Sequence, residues 1–448
     1  MLSNVLEPDS IAVIGASSNP EKWGYRILDN IISGEYAGSV YPVNPNENEV
    51  LGMRCHPSVL NIPHRIDLGI ITVPAEIVPR VLEECGRQGT RGVVIVSAGF
   101  SEIGNSELEN KVRDIARNHE MRMIGPNTFG FINTHLHLNA SIIPQMPEIG
   151  GTSFVTQSGT FGLALVNWAA SQQMGLHIVV GVGNKADIDD SDILTYLSAD
   201  QHTKTIMMYI EGLKRGRQFI DVARRIRKPI IALKTGRSRA GSKAALSHTG
   251  SLAGTDRIYN GAFKQAGVIR AETIEELFDS ALALSISPPA DDGIGIISNG
   301  GGASILAADL CENLGLHLPD LSDDAVRMLK SVLPAIATPA NPLDTAGDGS
   351  YKMFKDVIDL MLSDPGVNAL LVIYIHAEMV DPCLPAEAVI DAKDGCDKPV
   401  ITSWIGGTDI GTAVKRLEEN QIPNYPLPER AVAALNNLVR YKKILQNK

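Results

Sequence analysis

The sequence predicts an α/β fold built from three consecutive doubly wound units. Short β-branched runs alternate with helical stretches along the whole chain, the pattern of parallel sheets covered by helices. Many of the 41 glycines directly follow strand-like runs, where a strand must turn sharply into a helix. The length agrees, since 448 residues make about three domains of roughly 100–200 residues each.

In the first unit, strands are expected at IAVIGAS (11–17), SVYPVNP (39–45), DLGIITVP (67–74), VVIVSAG (93–99) and MRMIGPN (121–127). Helices fit 21–33, 75–88 and 105–119, and the stretch 134–150 reads as a connector. The second unit starts with TSFVTQSG (152–159) and continues with HIVVGVGN (177–184), TIMMYIEG (205–212) and PIIALKTG (229–236). A loop rich in Gly, Ser and basic residues follows at 235–254, then helical stretches near 255–266 and 273–286. The Pro, Asp and Gly content of SPPADDG (287–293) marks a linker. The third unit opens with a strand, a Gly-rich turn and a helix (293–315). Strands follow at ALLVIYIH (369–376) and PVITSWIGG (399–407), and a helix closes the chain at 428–445. The expected domains are 1–130, 150–287 and 293–448.

Composition removes several classes of function. Hydrophobic residues at 44% supply real cores, which excludes disorder as the main state. A net charge of −11 disfavours nucleic acid as a global partner. No apolar run reaches the roughly 18–20 residues of a membrane helix, so no membrane association is expected. The start, MLSNVLEPDSIAVIG, has no basic segment leading into an apolar one and does not read as a secretory signal. Five scattered cysteines without a CxxC suggest neither a disulfide framework nor a zinc site. A reducing cytoplasm is the expected compartment.

The chemistry gathers at strand ends. IAVIGASSNP turns from a strand into a helix through Gly15, Ala16, Ser17, Ser18 and Asn19, whose backbone N–H groups can approach a phosphate. The same turn also fits an ordinary βα connection. GxGxxG is absent, and the second strand ends in Asn44 and Pro45 rather than an acid for a ribose, so NAD is disfavoured. Val73-Pro74, Ser97-Ala98-Gly99 and Asn127 end other strands of this unit. In VTQSGTFG, Gln157, Ser158, Gly159 and Thr160 fall at a helix start, either as a phosphate cradle or as a plain N-cap. The acids of GVGNKADIDDSD lack calcium-loop spacing, and Asp189 and Asp190 suit a helix start. Gly300, Gly301 and Gly302 in SNGGGAS form a third cradle candidate. TPANPLDTAG (338–347) reads as a rigid loop, and no Walker A motif occurs.

The sharpest feature is KTGRSRAGSKAALSHTGSLAGTD (234–256). His248 lies among small residues, which leave an imidazole accessible and free to move. Lys234, Arg237, Arg239 and Lys243 just upstream can attract an anion. Histidine can be a covalent nucleophile; a flexible surface loop with a casual histidine fits the residues as well. Glu211 ends a strand of the same unit, and a carboxylate on Nδ1–H would leave Nε2 nucleophilic. The other histidines, among them His135, His137, His177, His202 and His376, show no ligand spacing.

These pieces in this order resemble the α subunit of NDP-forming acyl-CoA synthetases, most closely the ADP-forming acetyl-CoA synthetase branch of the succinyl-CoA synthetase superfamily. The resemblance covers nearly the whole chain, and SHTGSLAG is its most specific motif. It implies a Rossmann-like CoA-binding domain followed by two flavodoxin-like domains. It implies that His248 is phosphorylated, that Glu211 is its carboxylate partner, and that phosphate sits between helices starting near 158–160 and 300–303. CoA would lie against Gly15, Ala16, Ser17, Ser18, Asn19, Asn44, Pro45, Val73, Pro74, Ser97, Ala98, Gly99 and Asn127. No part of the chain is left for an ATP-grasp module. The implied partner is a separate β chain holding ADP or ATP with Mg²⁺, in an α2β2 assembly.

Two departures stand out. Where succinyl-CoA synthetases have a lysine that helps to hold CoA, the nearest residue here is Glu47. Where they have a Tyr-Glu pair, this chain has Leu163 and Ala164, which points to a small or apolar acid. The rival expectation is a catalytically inactive CoA- or nucleotide-binding regulator, which would need no histidine on a Gly-rich loop.

Overall fold

The computed structural model describes residues 2–172, 174–243, 255–376 and 380–448. The chain forms two compact units, Met1–Glu272 and Thr273–Lys448.

The first unit contains two main sheets. One has five parallel strands in the order Ser39–Val43, Ser10–Ile14, Leu68–Ile71, Gly92–Ile95, Arg122–Ile124. Numbered along the chain the order is 2-1-3-4-5. The winding therefore reverses beside Ser10–Ile14, and the loops after this strand and after Leu68–Ile71 flank a crevice at the carboxyl edge. Open α/β sheets bind their ligands at such a switch point. Ile11, Val13, Leu68 and Ile70 are fully buried because helices cover both faces. Helix Val78–Gln88 shows the pattern: Val78, Val81, Leu82 and Cys85 form its buried stripe, and Gly89 ends it at φ 87°.

The second sheet runs Ile269–Ala271, Ile230–Lys234, Thr205–Ile210, Ile149–Thr156, Leu176–Gly181, Gly130–Asn133, Leu138–Ser141. Its parallel strands repeat the 2-1-3-4-5 winding of flavodoxin-like sheets. The last two strands are an antiparallel hairpin, which corrects the reading of 134–150 as a plain connector. All four residues of Leu138–Ser141 are buried, polar and apolar alike, so no alternation marks the strand. Its polar groups are satisfied inside: Ser141 Oγ donates to Asn139 Oδ1 at 2.6 Å, and Asn139 Nδ2 to the Ile143 carbonyl at 2.7 Å. Asn30 of helix Trp23–Ser33 donates to the Ser141 and Ile143 carbonyls at 2.8 and 2.9 Å. The hairpin thus ties the first sheet to the second, and one core cluster runs from Ile11 and Ile27 to Val155 and Met208.

The second unit has four parallel strands in the order Leu343–Asp344, Ile294–Ser298, Ala369–Ile375, Val400–Ile405. The edge strand lies in what the sequence suggested was only a rigid loop. Helix Ile274–Ile286, assigned from the sequence to the 150–287 domain, packs here against helix Pro428–Gln446. Arg430 forks onto both oxygens of Asp279 at 2.7 Å, and the Tyr425 hydroxyl donates to the Asp279 carbonyl at 2.8 Å. The expected α/β architecture of parallel-sheet units holds throughout. Among the described residues no helix is long and apolar enough to cross a membrane.

Candidate active site

At the first sheet, the chain leaves strand Ser10–Ile14 through Gly15, at φ 96°. A Cβ on Gly15 would lie 2.5 Å from Thr72 Oγ1 and 3.1 Å from Val73 Cγ1. A Cβ on Gly24 would lie 2.0 Å from the Gly15 carbonyl oxygen. Two glycines therefore let the loop pass between a helix start and a neighbouring strand end. Asn44 donates to the Ala16 carbonyl at 2.7 Å, and Ser17 Oγ accepts the Asn19 N–H at 3.2 Å. Ser97 Oγ donates to the Val73 carbonyl, and the Asn127 N–H to the Ser97 carbonyl at 2.9 Å. The thirteen residues expected to meet CoA thus follow the carboxyl ends of four neighbouring strands and the adjacent Arg122–Ile124 strand.

Two acids modify this edge. Glu47 Oε1 accepts from the Ser18 N–H at 3.3 Å and the Ser18 hydroxyl at 3.0 Å. A carboxylate therefore engages donors that a phosphate would use, while Gly15, Ala16 and Ser17 retain the tight turn a phosphate needs. Glu102 accepts from the Gly99 and Phe100 N–H groups and from Asn184. Burial alone would raise its pKa, but these donors outweigh burial and hold the carboxyl below its ordinary range. Asn184 also meets Asn127 at 3.3 Å, so a loop of the second sheet reaches the first sheet's edge.

At the second sheet, strand Ile149–Thr156 turns into helix Gly159–Ser171. Ser158 is the N-cap residue, but its side chain makes no capping bond. The Thr156 hydroxyl instead braces the turn, accepting the Ser158 N–H at 3.2 Å. The Gln157 side-chain oxygen accepts the N–H groups of Glu211 and Gly212, each at 3.1 Å. It also accepts from Lys185 Nζ at 3.1 Å. The amide therefore clamps the turn carrying Glu211 to the start of the helix.

Asp189 caps helix Asp190–Ala199 in a capping box with Asp192 and meets Arg215 at 2.6 Å. Burial opposes ionisation of Asp189, but Arg215 and the Ser191 and Asp192 N–H groups prevail and lower its pKa. Asp190 has another task, a buried ion pair with Lys185 at 2.7 Å. Lys185, the lysine of GVGNKADIDDSD, carried no role in the sequence; its left-handed backbone and its acceptors Gln157, Asp190 and Gly212 reveal it. Lys234, expected to attract an anion with Arg237, Arg239 and Lys243, is buried, its Nζ 4.5 Å from the centre of the Tyr259 ring. Burial lowers its pKa. Arg237 pairs with Asp256 and Glu272. His248 lies outside the described residues. Strand Ile230–Lys234 ends at the same carboxyl edge as Glu211, residues 239–243 beyond it are helical, and Tyr259 of helix Asp256–Ala266 accepts the Leu213 N–H at 3.1 Å.

In the C-terminal unit, Gly300 is the N-cap of helix Gly301–Asn313. The turn repeats the device of the second sheet. Ser298 Oγ accepts the Gly300 N–H at 3.0 Å, and Asn299 bonds across to Ile375 on the next strand at 2.8 and 2.9 Å. Here too a side-chain cap is absent, which leaves the helix start without a competing hydroxyl.

The remaining histidines are not all scattered. His135 Nδ1 meets His177 Nδ1 at 2.8 Å, and His177 Nε2 meets Asp200 at 3.0 Å, beginning at the amino end of strand Leu176–Gly181. Among the described residues no group of His, Cys, Asp and Glu is arranged to hold a metal ion.

Three family models match the chain: a CoA binding domain over residues 9–134, a succinyl-CoA ligase like flavodoxin domain over 149–284, and a Ligase-CoA domain over 294–446. The α subunit of acetate–CoA ligase (ADP-forming) I of Pyrococcus furiosus is 43% identical, over 99% of this chain and 98% of that one. Acetate–CoA ligase (ADP-forming) of Methanocaldococcus jannaschii is 45% identical over 98% of this chain, which spans 63% of that longer protein. A dinucleotide forming acetyl-coenzyme A synthetase 1 of Ca. Korarchaeum cryptofilum, solved with phosphate and ADP, superposes with a TM-score of 0.96. It is 38% identical, with 100% of this chain and 98% of that one covered. The chain belongs to the family of ADP-forming acetate–CoA ligases, acid–thiol ligases, and aligns end to end with their α subunits.

Proposed function

We propose that this chain is the α subunit of an NDP-forming acyl-CoA synthetase that uses a phosphohistidine at His248, with acetate or another small carboxylic acid as substrate. The reaction is acyl-CoA + phosphate + ADP ⇌ acid + CoA + ATP. A phosphate oxygen attacks the thioester carbonyl, the C–S bond breaks, and CoA leaves as the thiol. His248 Nε2 then takes the phosphoryl group from the acyl phosphate, and the carboxylate leaves. The phosphohistidine finally gives its phosphoryl group to ADP and returns to free histidine.

In this reading CoA lies at the first sheet's switch point, against the residues from Gly15 to Asn127 named above. Glu211 holds the imidazole of His248. Gln157, Ser158, Gly159 and Thr160 form one helix start suited to phosphate, and Gly300, Gly301 and Gly302 form another. ADP or ATP with Mg²⁺ belongs to a separate ATP-grasp β chain, in an α2β2 assembly. The longer M. jannaschii relative has room beyond the matched region for such a module within one chain.

One observation carries the reading. The Gln157 side chain holds the Glu211 and Gly212 N–H groups at 3.1 Å, so the turn carrying a strand-end carboxylate is tied to an anion-favouring helix start. Such a site works mainly by positioning and by stabilising charge on the transferred phosphoryl group. Thiol release from acetyl-CoA by the chain with its partner tests it. Sustained release should require both phosphate and ADP, with phosphate alone giving no more than a single turnover; release that ignores phosphate contradicts the proposal.

A further inference from the structure

We propose that Lys185 is a positioning residue for this reaction, fixing the turn that carries Glu211 through Gln157 and the Gly212 carbonyl. The inference rests on the function proposed above. Only 1% of the Lys185 side chain is exposed. Its ammonium has three donors and three close acceptors: Gln157 Oε1 at 3.1 Å, Asp190 Oδ2 at 2.7 Å and the Gly212 carbonyl at 2.7 Å. Gly212 is therefore gripped twice, its carbonyl by Lys185 directly and its N–H by the amide that Lys185 polarises.

Stability alone does not account for this group. Burying an ion pair costs desolvation, and an apolar pair of similar volume is often as stable. Lys185 also adopts φ 54°, uncommon for a residue with a side chain and retained where the surroundings fix it. Its own carbonyl accepts from Lys214 Nζ at 3.0 Å, which adds one more tie. The Asp190 carboxylate cancels the ammonium charge, so the contribution to the site is geometry rather than net positive potential. A carboxylate that must meet an imidazole depends on that geometry.

The test uses the chain assembled with its partner chain. Asp190→Asn keeps the ammonium and its two other acceptors. Lys185→Met combined with Asp190→Asn removes both charges, leaves no unpaired buried ion, and loses the grip on Gln157 and Gly212. The expected kcat is within about fivefold of wild type for Asp190→Asn and about 10–100-fold down for the double variant, with KM for CoA within about twofold. Asp190→Asn, which strands the buried ammonium, should melt no higher than the double variant, so a lower kcat in the double variant is not a loss of stability.

A double variant with the kcat of Asp190→Asn, or kcat losses that simply follow melting temperature, overturns the inference. If the double variant does not fold, Lys185→Arg serves. It keeps a cation opposite Asp190 without the compact donor geometry, and should lower kcat at unchanged KM for CoA. Wild-type kcat in that variant overturns the inference too. His248→Ala separates the two levels. Activity in His248→Ala defeats the proposed function itself, whereas an inactive His248→Ala beside a fully active double variant defeats only the role of Lys185.

Discussion

Glu47 is the residue on which the proposed CoA site departs most from what a polyanion wants. Its carboxylate holds the Ser18 N–H and hydroxyl at the tip of the loop. Replacing it with lysine frees both donors and adds a charge-assisted contact for a phosphate. Glu47→Lys should tighten CoA about tenfold, or ~1.4 kcal/mol, in a calorimetric titration. Unchanged affinity would place the CoA phosphates away from Ser18. Single residues were unequally legible. Gly15, Asn44 and Ser97 follow strand-like runs, and their placement needs only the rule that ligands meet strand ends. Lys185 was not legible, because a lysine between glycines and aspartates reads as solvated. Its burial depends on acceptors in three segments spread from Gln157 to Gly212.

At the level of elements, the two helix starts at Gly159 and Gly301 share one construction. A hydroxyl at the strand end braces the turn, an amide side chain ties it to the next strand, and no side chain caps the helix. The first sheet relies instead on close packing of glycine against backbone. A Cβ on Gly24 would meet the Gly15 carbonyl group, which cannot move without shifting the strand end. Gly24→Ala should destabilise the protein by about 1–3 kcal/mol in thermal or denaturant unfolding and weaken CoA binding with it. Gly216→Ala, at a helix start with open space around it, should do neither. A Gly24→Ala protein as stable as wild type would mean that the Gly15 turn can move away from the helix start. The inner strands of the parallel sheets were legible because each is a short apolar run, most of them ending at a glycine turn; the edge strands Ile269–Ala271 and Leu343–Asp344, three and two residues long, were too short to show one. The hairpin from Gly130 to Ser141 was not, since its buried Asn139 and Ser141 erase the alternation that marks a strand.

Over the whole molecule, three sheets share the same winding and two compact units contain them. The order of sheets was readable from the chain, because parallel strands linked by helices are local in sequence. The packing partners of helix Ile274–Ile286 were not, because Tyr425 and Arg430 lie about 150 positions after Asp279. The proposed reaction depends on one covalent event. The purified chain is incubated with its ATP-grasp partner, Mg²⁺ and ATP labelled at the γ-phosphate, beside the His248→Ala variant. Acid-labile, base-stable label on wild type and none on the variant is the expected result. Equal label on both, or none on wild type in the presence of an active partner, contradicts the phosphohistidine at the centre of the proposed function.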